Sequence, residues 1–146
     1  MTTLHFITTI AASRSKVWKV LWEDSTYRKW TSAFSAGSYA VSDWKEGSKV
    51  LFLSPNGEGM FGVIAKTVPG ELMSFKHMGE IKNNQEQLID EKTRSWSGAM
   101  ENYTLIENEG LTTLSVDIDV TAEYQAYFTE TFPKALDIVK VLAETE

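Results

Sequence analysis

The sequence predicts an α+β fold: a curved antiparallel β-sheet wrapped around a long C-terminal helix, with two short helices after the first strand. Three observations lead to it. Apolar residues recur at helical spacing over the last twenty-odd positions, segments of period two fill the middle of the chain, and brief turn sequences join those segments so that neighbours run antiparallel. The length, 146 residues, is that of one domain (1–146), enough to bury a core without disulfide or metal staples.

Residues 4–10 read as the first strand, with Leu4, Phe6 and Ile10 apolar among β-branched neighbours and His5 turned outward by alternation. Ser13 then caps a short helix carrying Val17, Val20 and Leu21 at helical spacing, with Trp18 and Trp22 on an adjoining face. A second short helix, 25–30, follows with Asp24 as its cap and with Tyr27 and Trp30 on one face. The period becomes two over residues 39–44, 47–53, 59–68 and 72–78, punctuated by Lys45-Glu46-Gly47, Pro55-Asn56-Gly57 and Pro69-Gly70. Residues 79–94 form a polar break, a loop with a little helix. Residues 96–107 and 111–120 make the clearest hairpin, turning at Asn108-Glu109-Gly110, with Leu114, Val116, Ile118 and Val120 on one face and Ser115, Asp117 and Asp119 on the other. The order is β-αα-β-β-β-β-β-α, about six or seven strands with one wet face.

The last helix, 124–144, covers the other face. At 100° per residue Tyr124, Phe128, Phe132, Ala135, Val139 and Leu142 share a stripe, widened by Leu136 and Ile138, while Glu130, Asp137, Lys140 and Glu144 lie opposite. Thr121 is placed to cap it and Glu123 to meet its positive end. Pro133 lacks an N–H and crowds the carbonyl of Thr129, so a kink or a restart is expected there. A curled sheet closed by one helix leaves an interior space suited to apolar ligands.

Composition narrows the function classes. There is no Cys, which excludes disulfides, thiolate catalysis and thiolate metal sites. Net charge is −6 with no basic stripe, so nucleic acid and anionic membranes are not expected as partners. No stretch reads as a signal peptide or is long enough for membrane insertion, and a cytoplasmic location is expected. No metal site and no cofactor is called for: Asp90-Glu91 and Asp117/Asp119 lack calcium-loop spacing, and the glycine-rich run 57–62 lacks the helix that follows a phosphate loop. Nothing resembles a nucleophile elbow.

Trp96-Ser-Gly-Ala-Met-Glu101-Asn-Tyr103-Thr-Leu105, followed by Gly110-Leu-Thr-Thr-Leu114-Ser-Val116, resembles the W-x-G-x-x-E-x-Y-x-L…G-x-T-x-L-x-V pattern of the SRPBCC, or START-like, superfamily. Gly79-Glu-Ile-Lys-Asn-Asn is similar to the loop that precedes it. The branch it resembles is the AHSA type, named after the activator of the heat-shock-chaperone ATPase. The resemblance implies a helix-grip (START-like, birch-pollen-allergen-like) fold with a deep cavity for hydrophobic small molecules. Chaperone activators of this type carry a separate N-terminal docking domain, whereas this chain begins at the first strand, so a chaperone partner is not expected. The superfamily's oxygenases need an iron site that a chain with only His5 and His77 and no Cys does not offer.

Candidate ligand-binding residues come from both the helices and the sheet. Trp30, Phe61, Phe75, Trp96, Tyr103, Phe128 and Phe132 can converge on one space, or simply form a core. His77 continues the row Met73, Phe75 and would be a general base or polar anchor, or else a strand-end His bonded to the nearby loop. Glu101 stands in the otherwise apolar row Ala99, Tyr103, Leu105, where it needs a donor such as Tyr103, Trp96 or a Lys; a bulge at Gly98 would flip it outward, and an edge position would make it structural. No catalytic residue is singled out. The reading is a binding protein for a small hydrophobic or amphipathic molecule. The alternatives are a cyclase- or isomerase-type enzyme acting on a hydrophobic carbonyl compound in the same cavity, and a chaperone-regulator-like interaction module. A homodimer through the sheet face or polar loop is compatible with the pattern.

Overall fold

In the computed structural model, which describes residues 1–145, thirteen elements follow one another; Glu146, the end of the expected domain, lies outside the described residues. Strand β1 (Thr2–Ile10) leads to helices α1 (Arg14–Trp22) and α2 (Asp24–Thr31), then β2 (Tyr39–Val41), β3 (Lys49–Leu53), β4 (Gly59–Val68), β5 (Leu72–Lys82) and β6 (Gln85–Glu86). A short helix α3 (Glu91–Arg94), strands β7 (Met100–Asn108) and β8 (Leu111–Val120), a 3-10 turn (Ala122–Tyr124) and helix α4 (Gln125–Glu144) complete the chain. All pairings are antiparallel, in the order β1-β8-β7-β5-β4-β3-β2, with β6 beside β5. The strands number eight among the described residues, where the sequence suggested six or seven, because β5 runs on into the polar break and turns back. Asn83 and Asn84, at φ of 52° and 61°, make that two-residue turn, a backbone region Asn tolerates.

Three boundaries depart from expectation for local reasons. The strand foreseen to Trp44 stops at Val41, because the Ser42 hydroxyl accepts from the Trp44 amide and Trp44 takes a φ of 63°. The one foreseen from Trp96 starts at Met100, because the chain first turns through Gly98 at φ 93°. Asp24 lies in the first turn of α2 rather than capping it, and binds the Arg28 guanidinium at 2.9 Å. Ser13 does cap α1, accepting from the Lys16 amide.

Helix α4 lies against β1, α1 and α2. Phe132, Ala135, Leu136, Val139 and Ala143 are buried along it, and each large side chain among them contributes roughly 1.5–3 kcal/mol. Tyr124 is not on this buried stripe: it belongs to the 3-10 turn and is 48% exposed. Thr121 makes no capping hydrogen bond, since the turn intervenes between it and α4. The helix passes through Pro133 without restarting. The β4–β5 pairing skips Met78 of β5 beside Phe61 and Ala65 of β4 beside Ile64, and these bulges bend the two strands and curl the sheet.

Candidate ligand cavity

Between the inner face of the sheet, α2 and the start of α4 lies a cavity of about 580 Å³. Its apolar walls come from Trp30 and Phe34 near α2, Phe52 and Met60 on the sheet, Trp96 before β7, and Phe128 and Phe132 on α4. The Trp30 indole N–H donates to the Leu21 carbonyl at 3.0 Å, so this ring is fixed without help from the cavity. Phe34 stacks edge-on to Phe132 with ring centroids 5.0 Å apart, and the Tyr127 hydroxyl donates to the Phe34 carbonyl at 2.9 Å, which ties the rim of α4 to the loop after α2.

One wall is polar. In the β5–β7 register Met73 faces Tyr103 and Phe75 faces Glu101, while the His77 amide donates to the Ala99 carbonyl. His77 and Glu101 are therefore diagonal neighbours on the inner face, within reach of long side chains. His77 Nε2 lies 2.8 Å from Glu101 Oε1, and the Tyr103 hydroxyl donates to Glu101 Oε2. A carboxylate only accepts, so the ring proton sits on Nε2. His77 is 5% exposed and its Nδ1 has no hydrogen-bond partner among the described residues. Leaving such an atom unsatisfied costs about 1–3 kcal/mol, which a bound donor would recover. Burial, and after it the Glu101 charge, pushes the phenol of Tyr103 well up and does the same to Tyr27, whose hydroxyl makes no hydrogen bond among the described residues. Near the mouth, the buried Thr121 hydroxyl is likewise without a partner.

Of the residues singled out from sequence, Trp30, His77, Trp96, Glu101, Tyr103, Phe128 and Phe132 line this cavity. Phe61 does not. Met60 and Ile64 take the inner face of β4, so alternation sends the Phe61 ring to the far side of the sheet, beside Gly79 and 5.8 Å from the Lys49 ammonium. Phe75 is also not a lining residue: at 1% exposure it is enclosed by Trp22, Trp44, Phe52 and Tyr103 and forms the core behind the wall. Gly98 takes its left-handed φ ahead of β7 and leaves Glu101 facing inward. Sequence reasoning missed Tyr27, Phe34, Thr121 and Glu80 as lining residues. Tyr27 was within reach, since it shares a helix face with Trp30; Thr121 was masked by its capping chemistry. Among the described residues no group of three His, Cys, Asp or Glu side chains is placed to hold a metal ion.

No family model matches the chain, and no curated protein matches it in sequence. Solved structures do. The Aha1 dimer from Colwellia psychrerythraea, determined in solution, superposes with a TM-score of 0.76 at 20% identity over 99% of this chain and 98% of that one. The chain therefore has the helix-grip fold of that structure. Other solved structures share this fold. Protein CV1439 from Chromobacterium violaceum matches with a TM-score of 0.71 at 15% identity, all of each chain being covered. CalU16 from Micromonospora echinospora has a TM-score of 0.68 at 12% identity over 98% of this chain and 76% of its own. No helix among the described residues of the chain is long and apolar enough to cross a membrane.

Proposed function

We propose that the chain binds a small hydrophobic or amphipathic molecule between the sheet and α4, acting as one cytoplasmic domain over residues 1–146. The observation that carries this reading is the cavity itself. Its volume, about 580 Å³, falls within the usual range for small-molecule sites, and its walls combine aromatic surface with a few convergent polar groups. Trp30 and Trp96 line it, so intrinsic fluorescence reports occupancy. Titration with naphthylmethanol is expected to give saturable quenching, and Phe128→Asp to weaken it at least about tenfold while far-ultraviolet circular dichroism stays unchanged, because a charge would stand on the apolar wall. Equal affinity in the variant would refute the placement of the ligand. The likeness to the Aha1 dimer also supports a homodimer, which sedimentation analysis tests.

A second reading is an enzyme of cyclase or isomerase kind, favoured by the His77–Glu101 pair. Glu101 holds the ring so that the free Nδ1 can take a proton from a carbon beside a carbonyl. Methyl naphthyl ketone incubated with the protein in heavy water is then expected to exchange its α-protons, and His77→Asn to abolish the exchange while binding persists. Exchange no faster than in buffer removes this reading and leaves the binding one intact.

A further inference from the structure

The charges around the cavity are one-sided. Glu58, Glu80, Glu101 and Asp119 line it, against one Lys or Arg among the described lining residues, Lys82, whose ammonium lies 3.6 Å from Glu80. Asp119 serves the fold, accepting from the Thr3 hydroxyl and the Met100 amide. Glu101 is different. Its side chain is 16% exposed, its partners are a phenol and an imidazole, and no Lys or Arg among the described residues pairs with it. A carboxylate so placed gains from a positive charge brought alongside and repels a second negative one.

His77 supplies the independent observation. With Nε2 donating to Glu101, the ring in its neutral form offers Nδ1 as a lone-pair acceptor, buried and without a partner among the described residues, so the position calls for a donor. The aromatic walls agree, because ring faces attract organic cations. Resting on the binding reading above, we infer that the ligand is an amphipathic cation: an apolar body with a protonated amine head, the head donating an N–H to His77 Nδ1 beside the Glu101 carboxylate. By the same physics the cavity discriminates against fatty-acid-like carboxylates of equal size.

The test is a matched series of naphthylmethylamine, naphthylmethanol and naphthoate, titrated by calorimetry into the wild-type protein and Glu101→Gln. The amine is expected to bind at least about tenfold more tightly than the carboxylate, and Glu101→Gln to narrow that gap severalfold while leaving the alcohol nearly unchanged. Carboxylate binding equal to or tighter than the amine overturns the inference, and so does a gap that Glu101→Gln leaves unaltered. The wild-type ranking stands even if the variant fails to fold. Equal binding by all three would overturn only the charge assignment, whereas no binding by any would overturn the binding reading and this inference with it.

Discussion

Glu101 exerts its influence through the phenols around it. Tyr103 donates to its carboxylate, and both Tyr103 and Tyr27 are held protonated by burial and by that negative charge. Their folded-state pKa values are raised above that of an unfolded tyrosine, near 10. The stability they contribute is therefore fully present below about pH 10 and is lost as pH rises from there toward the folded values, since the unfolded chain releases protons that the fold retains. Each contributes a slope of about 1.4 kcal/mol per pH unit in that window. Urea unfolding between pH 9 and 11 is expected to show falling stability, and Tyr27→Phe to remove one tyrosine's share of the slope; an unaltered slope would contradict the burial of that hydroxyl. Glu101 and His77 stand out singly in the sequence as polar residues in apolar rows. Their pairing does not, because it depends on the β5–β7 register, and the polar break between those strands hides where the second one begins.

At the scale of elements, the sheet's curl depends on close backbone approaches. A Cβ on Gly59 would lie 1.9 Å from the Phe52 carbonyl oxygen, backbone against backbone, with no flexible side chain to yield. Gly59→Ala is expected to cost more than about 2 kcal/mol, read from urea unfolding as a lower midpoint, and a loss under about 0.2 kcal/mol would show that β3 and β4 separate freely. Most elements are legible from periodicity: the alternation of β8 and the stripe of α4 leave little choice of type. What is not legible is where irregular backbone intervenes. The pairing of β4 with β5 skips Met78, and Trp44, an apparent strand residue, takes a left-handed conformation under two side-chain-backed turns. Such features are set by neighbouring strands, and a single segment carries no record of them.

For the whole molecule, the fold places an aromatic-walled cavity where the last helix meets the curved sheet, with the half-buried Glu101 and the unpartnered imidazole nitrogen of His77 on the same wall. The architecture was visible in the sequence because a long amphipathic helix must cover something broad, and a series of antiparallel strands is what precedes it. Which aromatics line the enclosed space and which fill the core behind it was not visible, since Phe75 and Phe128 have the same apolar character although one forms core and the other wall. The most direct test of the account is therefore a map of occupancy: nitrogen-proton correlation spectra with and without saturating naphthylmethanol. The account predicts shifts at the Trp30 and Trp96 indoles and at the amides of His77, Glu101 and Phe128, with Phe61 and Ile7 unmoved. Shifts confined to the outer face around Ile7 and Ile106, or none at saturation, would contradict it.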